Sequence, residues 1–202
     1  MGLGVLLYVP NIIGYIRVLL VLSSWSGFDN PAVFVPCYGI SIILDGVDGC
    51  VARRLDQTSE FGAWLDVVVD NLGRGMVWSI LYQWGWLVSA LEWCVFVCNH
   101  NAHGAQWKSS FSDSPWLVQA VMAKGFRTPT GVLAIAGLHI LPVWLYGYQR
   151  GLLSRALCLP AWLQVLGTLL LTGGRLLCLS AEVWCVWSHI RFLTRDRQVK
   201  RE

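Results

Sequence analysis

The chain repeatedly runs apolar for the length of a membrane crossing, and charge is largely kept out of those runs. A crossing helix needs roughly 20 such residues, because in lipid every backbone polar group must be satisfied within its own segment. Six stretches meet this description: Asn11 to Trp25, Pro31 to Leu55, Glu60 to Ile80, Trp84 to Trp107, Pro129 to Tyr146 and Pro160 to Phe192. The expected fold is an all-α integral membrane protein with six transmembrane helices, organised as a single domain over residues 1–202. Only 13% of the residues are charged and 55% are hydrophobic. A soluble domain carries roughly a quarter charged residues. The balance excludes a disordered chain and a nucleic-acid-binding domain with a basic face. The net charge of +3 is too small to imply a polyanionic partner.

With six spans both termini lie on one side. That side would hold Arg53, Arg54, Lys108, Lys124, Arg127 and the tail cations Arg191, Arg195, Arg197, Lys200 and Arg201, against Arg150 and Arg155 opposite. Positive charge favours the cytosol, so cytosolic termini are expected. Trp25, Trp84, Trp107 and Trp162 at span ends read as interfacial anchors. The polar stretch from Lys108 to Thr128 reads as a loop, and the tail from Thr194 as a solvated basic segment. Seven scattered cysteines give no disulfide framework.

The acidic residues are placed unusually. Six of the 12 fall between positions 45 and 70, and four of those, Asp45, Asp48, Asp66 and Asp70, interrupt apolar runs. A carboxylate inside a span costs several kcal/mol unless it meets a partner or a cavity. Asp45 and Asp48 are three apart on one helix, and Asp66 and Asp70 four apart on the next, so each pair shares a face. Consecutive spans pack antiparallel, which lets the two faces meet. Four converging carboxylates call for cations, and oxygen donors without His or Cys favour Mg²⁺ or Mn²⁺ over zinc. Two divalent ions in such a set would suit phosphoryl chemistry. Gly46, Gly49, Ala52 and Gly62 leave room for a phosphate beside the carboxylates, and Arg53 offers it a guanidinium fork. A structural ion-pair network with Arg17, Arg53, Arg54 and Arg74 is the plain alternative. It explains neither the spacing nor the interleaved glycines.

Asp45-Gly-Val-Asp48-Gly49-Cys-Val-Ala52-Arg53, followed by eight residues, Gly62, three residues, Asp66, three residues and Asp70, resembles the signature of the CDP-alcohol phosphotransferase family. Within the family, Val9-Pro10-Asn11-Ile-Ile-Gly-Tyr-Ile-Arg17 resembles the branch that accepts inositol. The resemblance implies six transmembrane helices, a homodimer, and a cytosolic site between the second and third spans, in the endoplasmic reticulum. It implies transfer of a phosphatidyl group from CDP-diacylglycerol, a membrane lipid, to an alcohol, with myo-inositol the leading acceptor and CMP released. By position, Asp45, Asp48 and Asp66 would ligate metal. Asp70 would be the general base and a further metal ligand, and Gly49, Arg53 and Ser59 would contact the CDP group. Asn11, Arg17, Asn71, Arg74, Asn99, His100 and Arg127 are candidates for the acceptor pocket.

Three departures bear on the acceptor, and one of them is Asp56, which stands where Asn is common. Asn71 stands where the inositol branch carries Arg, and the fourth span reads Cys98-Asn-His-Asn where that branch shows Ser-His-Trp. They keep open the same chemistry with another alcohol, or a non-catalytic protein that binds the nucleotide-lipid. A transporter with an acidic cluster leaves Ala52, Arg53 and Gly62 unexplained. Arg175 and Glu182, two turns apart in the sixth span, read as a packing or partner contact.

Overall fold

A computed structural model describes residues 3–103 and 114–199, the side chains of 100–103 and 195–199 excepted. All regular structure among the described residues is helical. A 3₁₀ turn (Leu3–Leu7) precedes α1 (Val9–Ser26), α2 (Pro31–Arg54), α3 (Glu60–Leu81), α4 (Gly85–His103), α5 (Trp116–Met122), α6 (Pro129–Gln149), α7 (Leu152–Arg155) and α8 (Ala161–Val199). A helix therefore forms at each of the six expected spans. Four of them, α1, α2, α6 and α8 up to Thr194, are long and apolar enough to cross a membrane. In α3 the charges Glu60, Asp66, Asp70 and Arg74 lower the hydropathy, and α4 is apolar over Gly85–Asn99 among the described residues. One expectation is corrected: the segment read as a loop contains the helix α5, whose Val118 and Val121 are buried. The tail continues α8 as helix to Val199.

The chain divides into two compact units, Met1–Val77 and Trp78–Glu202. In the first, α1 packs along α2, and Val21, Leu65 and Val69 form a core with Val18, Phe61 and Met76 around it. Pro10 sits in the first turn of α1, where a missing amide donor costs nothing. Asn30 caps α2 by accepting from the Ala32 amide at 3.0 Å, with Pro31 following. The C-terminus of α2 closes in a Schellman turn: Asp56 takes φ 52° and the Gln57 amide reaches the Ala52 carbonyl at 2.9 Å. Glycine or Asn adopts that backbone most readily, so an aspartate there is a mild strain.

In the second unit α6 lies along α8 in the most extensive of its helix contacts. Small residues make the approach possible. A Cβ on Gly137 would strike the backbone of Gly174 and Arg175, and one on Gly174 would strike the Leu133 carbonyl. Close backbone approach of this kind is how helices associate where lipid leaves little hydrophobic driving force. Trp144 lies over Gly167 and donates to Thr168 Oγ1 at 3.0 Å. Val118, Ala181 and Cys185 knit α5 to α8. Large apolar side chains such as Leu19, Ile43, Leu169 and Leu176 remain exposed along the helices, as a lipid-facing surface requires, and Trp25, Trp84 and Trp162 are exposed at helix ends. Trp107 lies outside the described residues.

Candidate active site

The site is assembled in the first unit, from the N-terminal halves of α1 and α3 and the C-terminal half of α2. The α2–α3 connection is tied to α1 by Gln57, whose Oε1 accepts from the Val9 amide at 2.9 Å. That bond satisfies one of the donors that every helix N-terminus leaves over. Ser59 opens α3, its Oγ accepting from the Gly62 amide at 3.0 Å. The ends of α2 and α3 are thereby held beside the start of α1.

The four aspartates converge as their spacing predicts, and they converge on Arg17. Its Nη1 donates to Asp48 Oδ2 at 2.8 Å and to Asp66 Oδ1 at 2.7 Å. Its Nη2 reaches Asp45 Oδ1 at 2.7 Å and Asp70 Oδ1 at 2.6 Å. Each nitrogen thus joins one acid of α2 to one of α3. Arg74, one turn beyond Asp70, donates to Asp70 Oδ2 at 3.1 Å and to Asn71 Oδ1 at 2.6 Å. The structure sets Arg17 and Arg74 among the acids themselves, as the ion-pair alternative had them, and not apart from the acids as an acceptor-pocket Arg17 would be.

Among the described residues two guanidiniums face four carboxylates, so the cluster, when fully ionised, has two more acids than cations. Ligand oxygens of Asp45, Asp48 and Asp66 all lie within 4.8 Å of one another, close enough to share one ion. An all-oxygen, anionic donor set with spare negative charge fits a hard divalent cation.

Beside the cluster lies a cleft of about 190 Å³, with Asp48 and Asp66 in its wall. Pro10, Asn11 and Gly14 of α1, Gly49, Ala52 and Arg53 of α2, and Ser59 and Gly62 of α3 complete most of the lining. The residues expected to contact the CDP group therefore share one wall with two of the expected metal ligands. The glycines differ in what they do. A Cβ on Gly46 would meet nothing within 4 Å, and one on Gly49 only the tip of Arg53 at 3.5 Å. A Cβ on Gly62 would press on Asn11 Oδ1 at 2.8 Å and Ser59 Oγ at 3.1 Å. Gly62 is required by packing, whereas Gly49 leaves the wall open. Asn11 is held in place by donating from Nδ2 to the Val5 carbonyl at 2.6 Å.

The remaining expected residues divide. Asn71 and Arg74 join the site through Asp70. Asn99 and Arg127 belong to the second unit, and the side chain of His100 lies outside the described residues. Sequence reasoning missed Gln57 and Thr58, both in the cleft wall, because a loop Gln or Thr carries no pattern. It also missed that Glu92 of α4 completes an ion cluster with Arg175 and Glu182 of α8, at 3.5 and 2.8 Å from Arg175.

An all-α membrane fold carrying a four-aspartate centre beside a glycine-lined cleft defines a class, and comparison gives the class its name. Residues 7–164 match the CDP-alcohol phosphatidyltransferases, and the chain belongs to that family. It is similar to a CDP-diacylglycerol–inositol 3-phosphatidyltransferase of Arabidopsis thaliana, 46% identical over 82 residues, covering 40% of this chain and 36% of the relative. The enzyme of the same name from Saccharomyces cerevisiae is 39% identical over 93 residues, covering 46% and 40%. The one from Homo sapiens is 31% identical over 111 residues, covering 50% and 49%. The chain thus spans less than half the length of the curated relatives it matches. No solved structure matches it.

Proposed function

We propose that the protein transfers a phosphatidyl group from CDP-diacylglycerol to an alcohol, with myo-inositol the first choice, and releases CMP. The convergence of Asp45, Asp48, Asp66 and Asp70 beside the cleft carries this reading. The relatives' names support inositol as acceptor.

In this reading Asp45, Asp48, Asp66 and Asp70 hold Mg²⁺ or Mn²⁺. Bound there, the metal supplies Lewis acidity to the diphosphate and neutralises the charge that builds on departing CMP. The chain's own residues do the rest. Gly49, bare of a side chain, lets the diphosphate approach the backbone, and Arg53 grips it with two parallel donors. Ser59 and Asn11 flank the nucleotide side of the cleft. Asp70 accepts the proton of the alcohol hydroxyl as its oxygen bonds the phosphorus that bears the diacylglycerol, and the bond from that phosphorus to the CMP oxygen breaks. Arg74 orients Asp70 from behind and is itself fixed by Asn71.

We further propose that both units serve one domain, since the family match runs across both, and that six helices cross the membrane with the site facing the cytosol, as the Lys and Arg distribution favours. Residence in the endoplasmic reticulum and a homodimeric assembly follow the family resemblance.

CMP release from CDP-diacylglycerol by the purified full chain, with Mn²⁺ or Mg²⁺ and with or without myo-inositol, tests the proposal. The expected outcome is inositol-dependent release that chelation abolishes. Release with glycerol phosphate or serine alone would keep the chemistry and overturn the acceptor. Binding of CDP-diacylglycerol without turnover under any alcohol would overturn the enzyme.

A further inference from the structure

Arg17 does at this centre what a bridging metal would do. It is 2% exposed, and it draws one oxygen from each of four carboxylates on two different helices, all at 2.6–2.8 Å. A divalent ion shared by Asp45, Asp48 and Asp66 would draw on the same carboxylates that Arg17 holds, and the guanidinium competes with it for their charge. The guanidinium is also imperfectly served there: its Nε is buried with no hydrogen-bond partner. A buried donor left unmet is costly. Arg175 carries the same unmet Nε, so what sets Arg17 apart is the accessible carboxylates around it.

An alternative position lies close by. Side chains on a helix lean toward its N-terminus. From Arg17 that direction runs over Gly14, three residues back, toward Pro10, seven back, and both line the cleft. A diphosphate in the cleft would accept from the Nε and Nη donors together, the planar fork that carboxylates from two helices do not match.

We infer that Arg17 is a built-in counterion that holds the four carboxylates together without metal, gives them up when divalent metal binds, and turns to the cleft to take the diphosphate. The inference rests on the metal reading proposed above. It carries an order of events. While Arg17 occupies Asp70 Oδ1 and Arg74 occupies Asp70 Oδ2, the base is engaged on both oxygens. Departure of Arg17 removes one of the cations that hold Asp70, so metal entry and readiness of the base are one event.

The test uses the full chain in detergent and two readouts independent of turnover. Phenylglyoxal labelling of Arg17, followed by mass spectrometry, is expected to be low in EDTA and to rise at least fivefold with saturating Mn²⁺, then fall again when CDP-diacylglycerol is added. Mn²⁺ affinity, read by electron paramagnetic resonance, is expected to be at least tenfold tighter in Arg17→Gln than in wild type, with Arg17→Lys between the two. A purely structural Arg17 predicts the opposite order, since its loss would loosen the centre. Low labelling in wild type while resonance shows the ion bound would overturn the inference and leave the metal reading standing. Absence of bound Mn²⁺ in wild type would sink both. Should Arg17→Gln fail to fold, the wild-type labelling decides alone.

Discussion

Each unit of the molecule buries one arginine among carboxylates, and the two clusters are built to opposite ends. In the second unit Arg175 meets Glu92 and Glu182, whose side chains are 4% and 8% exposed while Arg175 itself is 11% exposed. In the first, Arg17 meets four aspartates, and Asp45 and Asp66 are 32% and 46% exposed. The first cluster is open, over-supplied with negative charge and walled partly by glycine. The second is less exposed, although it too has one guanidinium to two carboxylates and Arg175 lines an apolar cleft of about 470 Å³. A buried ion pair adds little net stability by itself, yet removing one partner leaves an uncompensated charge. A buried triad therefore works as a staple. An open excess of carboxylates makes sense only when a further cation shares it. Arginine among acids does not mark a functional centre; carboxylates left accessible beside a cleft do.

The comparison can be broken most sharply at Asp70. Asp70→Asn keeps the shape, removes the proton acceptor and should cost at least about a thousandfold in CMP release, the upper part of the general-base range. Turnover near wild type would take Asp70 out of the base role. At the other cluster Arg175→Met should take a cation away from two buried carboxylates and lower unfolding stability by about 3–5 kcal/mol, seen as a fall in Tm in detergent, while inositol-dependent turnover per folded molecule holds. A loss of specific turnover with unchanged Tm would mean that the second cluster is chemical after all. The smallest effect is expected at the wall of the cleft. Gly62→Ala pushes a methyl group against Asn11 and Ser59, and overpacking of about 1–3 kcal/mol should appear as a ten- to hundredfold fall in kcat/KM carried chiefly by KM. An unchanged KM for CDP-diacylglycerol would show that the nucleotide does not use that wall.

Much of the centre is legible in one dimension because its parts are local. Three residues from Asp45 to Asp48 and four from Asp66 to Asp70 commit each pair to a helical face wherever the helices go. Ser59 and Gly62 are likewise set by the start of a single helix, and Pro10 and Asn30 announce helix starts through rules that need no partner. The α5 helix escaped because it is seven residues long, and its flanking Ser, Asp, Lys and Gly outweigh two buried valines. Arg17 was visible as a charge in a span, but its partners are 28 to 53 residues away, and no periodicity joins them. Glu92 and Arg175, 83 residues apart, are hidden for the same reason.

By itself the sequence determined the all-helical membrane character, the two acidic faces and the motif that assigns the family, because apolar run length, helical period and fixed spacing act within one element. Only the tertiary structure decided which cation the acids surround, which glycine is required by a neighbour, and which of the two arginine clusters stands open. Those properties depend on how helices meet, and a carboxylate's charge acts on whatever the packing brings within a few ångströms, however far apart the residues lie along the chain.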